Sequence, residues 1–167
     1  MPCGVVSRYA WIAARSGFTL IIFMTRVRLS ASTCRDMSIA TFGYGALCRG
    51  LLSGRMRADT VFEGDDLRRV DPKFQKPRFA QYLAAVSRLD KLAQERFGKR
   101  VIHLMVRWML DQGITTALWG ARHPGQLQPV DEISGWLLDA STNAEIERIL
   151  REEITDPIGP QFMAPPA

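Results

Sequence analysis

The spacing of apolar positions along this chain changes several times, and each change marks an element. Between Phe79 and Phe97, Tyr82, Val86, Leu89 and Ala93 recur at steps of four, three and four. That spacing places them on one face of a helix and leaves Asp90 and Lys91 off the stripe. Gly98 follows, where a helix commonly stops on a left-handed residue. Val101 to Gln112 predicts a second helix, with Ile102, Met105, Val106 and Met109 on its apolar side and Gly113 as its stop. Pro124 to Ile133 predicts another, with proline in the first turn, where its missing N–H costs nothing. Thr142-Asn143-Ala144-Glu145 has capping-box spacing and predicts a helix through Ile146, Ile149 and Leu150 to about Glu153.

Two apolar runs lack helical spacing. Ser38 to Gly43 and Ile114 to Leu118 are short and read as buried strands, the second as a parallel one. The first runs into Gly43, Gly45 and Gly50, the second into Gly120, so each strand ends in a turn that a ligand can approach closely. Leu51 to Met56 predicts a short helical turn. From Arg57 to Pro77, clustered charges and the prolines at 72 and 77 predict a long loop with one helical turn. Beyond Asp156, the prolines at 157, 160, 165 and 166 predict an irregular tail. The fold class is α/β.

Charge changes the picture only at one end. The chain has 167 residues, 22 basic against 17 acidic, and a net charge of +5. Residues 1–35 hold Arg8, Arg15, Arg26, Arg28 and Arg35 and no acid. Without these five arginines, 17 basic residues face 17 acidic ones, so the remainder is neutral and offers no basic face for nucleic acid. The apolar run Phe18 to Met24 is far too short to span a bilayer, and Ser16 to Arg28 reads as a strand or a short helix. Cys3, Cys34 and Cys48 are odd in number and irregularly spaced, which argues against a disulfide framework or a zinc site. Reduced thiols and a cytoplasmic setting are the expectation.

The two strand-to-loop junctions carry a resemblance. YGALCRGLLSGR, from Tyr44, and LWGARHPGQL, from Leu118, come in that order with the tail DPIGPQFMAPP. Together they resemble the last two strand-loop units of an aldo-keto reductase, a family of NADP(H)-dependent oxidoreductases built on a (β/α)8 barrel. The resemblance runs over residues 34–167, whereas a complete barrel takes about 250 residues. It therefore implies a partial barrel: carboxy-terminal βα units followed by helices and an irregular tail. Residues 1–33 read as a leader unrelated to the family. Their arginine-rich, acid-free composition suits a transit peptide, but an abrupt loss of resemblance near Cys34 favours translation from a mis-started or disrupted gene.

The resemblance also implies a cofactor site. The family's aromatic at the position of Tyr44 stacks on the nicotinamide, and the counterparts of Gly45, Ala46, Leu47 and Arg49 line the pyrophosphate path. The counterparts of Gly120, Arg122 and Gln126 reach the adenosine end, with Arg122 on the 2′-phosphate. Where the family often has an Asn four residues after that Gln, this chain has Val130. A flat ring suits stacking, open backbone amides suit phosphate, and the planar fork of Arg matches phosphate oxygens in pairs. On residue chemistry alone, Tyr44 reads equally as a core aromatic, the glycines as turn residues and Arg122 as a solvated surface cation.

No catalytic set is expected. The family uses an Asp, a Tyr five residues later, a Lys and a His. Five residues before Tyr9, Tyr44 and Tyr82 stand Gly4, Ile39 and Pro77. His103 and His123 occupy neither the order nor the place of the catalytic His. The expectation is a truncated, catalytically incompetent chain whose partner is the small-molecule cofactor NADP(H), without membrane or nucleic acid, and which self-associates through exposed sheet edges. The alternatives are a non-catalytic interaction or scaffold protein, or a truncated product without function.

Overall fold

The computed structural model describes the backbone of residues 7–12 and 20–25, together with residues 34, 36 and 38–158. Cys3, the prolines at 160, 165 and 166 and most of the leader lie outside the described residues.

Three helices form most of the packed body: α1 (Arg78–Phe97), α2 (Val101–Asp111) and α3 (Ala140–Glu153). Tyr82, Val86, Leu89 and Ala93 are all buried, as their spacing predicts, and α1 ends on Gly98 at φ 62. Residues Val101 to Val106 of α2 are buried in succession, with Trp108 and Met109, so this helix has two apolar sides. One side joins Leu89, Ile146 and Leu150 in the main core; the other, through Val106 and Met109, joins Ala46, Ile114 and Ile133 in a second core beneath the sheet. At roughly 1.5–3 kcal/mol for each fully buried large apolar side chain, these clusters are the main favourable term. The turn between α1 and α2 is tied by Asp90, whose carboxylate accepts the Val101 N–H at 2.8 Å.

The sheet has four strands in the order β1 (Ser7–Ile12), β2 (Leu20–Thr25), β3 (Phe42–Tyr44) and β4 (Thr116–Ala117). β1–β2 and β2–β3 are antiparallel, and β3–β4 is parallel. The parallel pair is short, and its entry is fixed by two threonines. The Thr41 N–H donates to Thr115 Oγ1 at 3.0 Å and the Thr115 N–H donates to Thr41 Oγ1 at 2.9 Å. The ladder follows, with Thr116 N–H on the Thr41 carbonyl (3.0 Å) and Leu118 N–H on that of Gly43 (2.8 Å). The α/β character is thus confined to one parallel pair in a mostly helical body.

Three local expectations are corrected. The 57–77 loop holds two 3-10 turns, Leu67–Arg69 and Pro72–Phe74, because Asp66 and Asp71 each cap one. The helix expected over Pro124 to Ile133 is two 3-10 segments, Pro124–Gln126 and Gln128–Ile133. Pro129 has no N–H to give the carbonyl four residues back, so an α-helix cannot run through it. The cap of α3 is Asp139, not Thr142: its carboxylate accepts the Thr142 N–H at 2.6 Å. The shorter, charged side chain three residues earlier captures the free amide first, holding the Asp139 carboxyl down at about 2.

Candidate functional site

β3 alternates as a half-covered strand should, with Gly43 buried and Phe42 and Tyr44 turned outward. Tyr44 is 42% exposed at the end of the strand. The chain then turns through Gly45 and drops Ala46 into the second core. Cys48, Arg49 and Gly50 follow with φ of 46°, 55° and 88°. Left-handed backbone costs a non-glycine residue about 1–2 kcal/mol, so surrounding contacts must hold it. Cys48 is buried, and the Gly50 N–H donates to the Leu47 carbonyl at 2.8 Å. The Arg49 guanidinium meets Asp71 at 3.2 Å and donates to the Leu67 carbonyl at 3.3 Å, while Arg68 donates back to the Arg49 carbonyl at 3.4 Å. Two arginines therefore stitch the 45–54 loop to the 62–74 segment.

Behind that seam lies a buried charged cluster. Asp71 is 1% exposed and Lys73 2%, and their side chains meet at 2.8 Å. The Lys73 N–H also donates to the Asp71 carboxylate at 3.0 Å, which caps the 3-10 turn Pro72–Phe74. One carboxylate thus serves two cations, Arg49 and Lys73. Burial pushes the neighbouring Cys48 thiol up to about 11, with Lys73 and Arg49 opposing and Asp71 assisting. Burial likewise pushes the Tyr82 hydroxyl up to about 12, although it accepts the Ile158 N–H at 3.2 Å. The sequence does not announce this cluster. Asp-Pro before a turn was a legible cap signal, but nothing local distinguishes this lysine from the solvated charges around it.

The second loop leaves β4 through Leu118 and Trp119. A Cβ on Gly120 would meet nothing within 4 Å, so the backbone there is open to approach. Arg122 is exposed, and its N–H donates to Gln126 Oε1 at 2.6 Å, closing the loop into a ring. The Asp66 carboxyl is held down at about 2, chiefly by its hydrogen bonds with Arg68 and in small part by the charge of Arg122. The 62–74 segment and the second loop therefore lie within electrostatic reach of each other.

Because β3 and β4 are parallel, Tyr44–Arg49 and Gly120–Gln126 leave from the same end of the pair, the carboxyl end. The structure exposes Tyr44, Gly120 and Arg122 there and half-buries Gly45 and Gln126. It turns the Arg49 guanidinium inward, buries Ala46 and half-buries Leu47. His103 lies elsewhere, buried in α2, where its Nδ1 accepts the Arg100 N–H at 3.1 Å. Among the described residues no group of three His, Cys, Asp or Glu side chains could hold a metal, and no helix is long and apolar enough to cross a membrane.

The sequence model of the Aldo/keto reductase family matches residues 24–151. Among curated proteins, the chain is 60% identical over 133 residues to the aldo-keto reductase YhdN of Bacillus subtilis, covering 79% of this chain and 40% of that protein. It is 32% identical over 80 residues to the Schizosaccharomyces pombe aldo-keto reductase yakc [NADP(+)], covering 48% of this chain and 23% of that protein. Among solved structures, the glycerol dehydrogenase AKR11B4 of Gluconobacter oxydans superposes with a TM-score of 0.71 at 48% identity, covering 80% of this chain and 41% of that one. The chain thus spans about two-fifths of the length of YhdN and of the glycerol dehydrogenase.

Proposed function

This chain belongs to the aldo/keto reductase family, and from that premise we propose that it is the carboxy-terminal, NADP(H)-binding part of an oxidoreductase that moves hydride between NADPH and a carbonyl. In this reading residues 34–167 are a section of the family's (β/α)8 barrel and the residues before them a leader, within which the match to the family begins at residue 24. The cytoplasm is the proposed setting, in keeping with three irregularly spaced cysteines that suggest no disulfide framework.

The observation that carries the proposal is the convergence of two glycine-bearing loops at the carboxyl end of one parallel strand pair, where α/β folds place their ligands. The residues fit the cofactor. Tyr44 offers an exposed ring to a nicotinamide. Gly45 and Leu47 offer backbone to the pyrophosphate, while buried Ala46 anchors the loop in the second core. Arg122, beside the open Gly120, offers a solvent-facing cation to a 2′-phosphate, with Gln126 holding its backbone in place. Arg49 contributes by shaping the loop, since its guanidinium is engaged by Asp71. When bound, NADPH supplies the hydride. With no Asp five residues before any of its tyrosines, the chain has no tuned acid for the carbonyl oxygen, and we read it as incompetent alone.

The test is nucleotide binding by the full chain, followed by quenching of its tryptophan fluorescence. NADP(H) should bind more tightly than NAD(H), and Arg122→Ala should remove about 1.5–3 kcal/mol of that affinity, as for a charge-assisted hydrogen bond. Equal affinity for the two nucleotides would refute the 2′-phosphate assignment. Turnover of an aldehyde panel at rates typical of an intact reductase would refute the claim of incompetence.

A further inference from the structure

Two links converge on the turn between α1 and α2, residues 98–100. The Lys99 ammonium donates to the Glu132 carboxylate at 2.9 Å. Glu132 belongs to the 3-10 segment Gln128–Ile133, which follows the second loop directly. The Arg100 guanidinium donates to the Ser53 carbonyl at 3.1 Å, at the far end of the first loop. Packing tightens that contact. A Cβ on Gly54 would meet Val101 Cγ1 at 3.0 Å, so the chain leaves the first loop pressed against the first residue of α2. Adjacent residues of one turn thus hold the far ends of both loops.

His103 sets the geometry of that turn. Arg100 is the cap of α2 and His103 its third residue. The imidazole Nδ1 accepts the Arg100 N–H at 3.1 Å, the return bond of a capping box. Accepting there requires a bare Nδ1, so the ring proton sits on Nε2. Nε2 is buried and finds no hydrogen-bond partner among the described residues. A second proton has only Nδ1 to go to, where it would point at the Arg100 N–H. Protonation and this cap are therefore mutually exclusive. The new charge would also sit at the positive end of the α2 dipole. The charged groups facing the ring are Glu132 from the 3-10 segment, Asp90 from α1, and Arg100 and Lys99 from the turn itself. An imidazolium would repel the two cations and compete with Lys99 for Glu132.

We propose that Lys99, Arg100 and His103 form a pH-sensitive clasp across the two loops, closed while the imidazole is neutral and opened when it takes up a proton. The clasp regulates cofactor binding only if the reading of the two loops above holds, but its opening can be followed without nucleotide. All three are positioning residues, since each acts on the site through a loop end. Burial, with Arg100 and Lys99 in the same sense, holds the imidazole below its ordinary value, so the clasp is closed at neutral pH and opens on acidification. Opening frees Ser53 and Glu132, and with them the spacing between Gly45 and Arg122 that one dinucleotide has to span.

The test follows the full chain by NMR from about pH 7.5 to about pH 4.5, without nucleotide, so a failure of the cofactor reading shows in the binding test above and not here. The His103 ring carbons report its protonation. The amides of residues 48–54 and 128–133 should shift with the same midpoint as the ring, while those of Ala85–Leu89 in α1 and the helix content by circular dichroism stay constant. Glutamine closes a capping box from this position and does not titrate, so His103→Gln should keep the clasp shut and abolish the shared transition. Arg100→Met should move the 48–54 amides toward their acid-form shifts at neutral pH and leave 128–133 in place. The proposal is overturned if the ring titrates while both loop ends stay still, if His103→Gln leaves the transition unchanged, if Arg100→Met leaves 48–54 unmoved, or if helix content is lost before the ring titrates.

Discussion

Asp71→Asn is the most informative single substitution in this chain. Its carboxylate is buried, and it offsets two cations at once, Lys73 at 2.8 Å and Arg49 at 3.2 Å. Asparagine keeps the shape and removes the charge. The Lys73 ammonium, on a residue only 2% exposed, then loses the carboxylate that neutralises it and stays buried beside a second cation. Removing one partner of a buried pair costs about 3–5 kcal/mol, because the remaining charge stays desolvated. That is a large share of the roughly 5–15 kcal/mol that stabilises a typical domain. Lys73→Met should cost less, since Asp71 keeps Arg49 and the buried ammonium is gone. The double variant Asp71→Asn/Lys73→Met should recover about 1–3 kcal/mol relative to additivity. Urea unfolding followed by tryptophan fluorescence measures all three. The same carboxylate engages the Arg49 side chain at 3.2 Å and so ties down its loop, so Asp71→Asn should also expose Cys48–Gly54 to proteolysis. A loss below about 1 kcal/mol for Asp71→Asn, or strict additivity in the double variant, would refute the idea that this carboxylate neutralises a buried cation.

Two further outcomes follow from buried titratable groups. Burial holds the His103 imidazole below its ordinary value, with Arg100 and Lys99 acting in the same sense and Glu132 and Asp90 opposing. The unfolded chain therefore binds this proton more readily. Stability should be fully present above about pH 6.5 and fall with acid toward the lower folded value, by up to about 1.4 kcal/mol per pH unit; His103→Gln should flatten the profile in that window, and an unchanged profile would exclude His103 as its source. Cys48, with its thiol pushed up to about 11, should resist a disulfide reagent at pH 8 and react only as urea unfolds the chain. Mass spectrometry of the labelled peptide reads this directly, and rapid labelling of Cys48 in the folded chain would contradict its burial.

Local order was legible in the sequence. The helix expected at Phe79–Phe97 forms at Arg78–Phe97, because its apolar stripe and its stop at Gly98 are both set within a few residues. The same holds for α2 and for the far end of α3. The glycines after both strands marked where the loops would turn, and those loops do leave from one end of a parallel pair. Strand extent was not legible. Ser38 to Gly43 and Ile114 to Leu118 shrink to Phe42–Tyr44 and Thr116–Ala117, because a strand lasts only as long as its neighbours do. Competition among caps was not legible either, since Thr142 and Asp139 both suit the role and only the folded backbone decides which oxygen reaches the free amide. Least legible was the 57–77 segment, whose charges read as a solvated loop. Burial depends on what packs over a residue, and the Asp71 carboxylate is met by Arg49 from the preceding loop, which nothing local to residues 57–77 announces. The sequence by itself determined the three α-helices, the glycine turns after both strands and the family; the inward pull on Arg49, the buried charge cluster and the open face of β3–β4 arise only when separate segments meet.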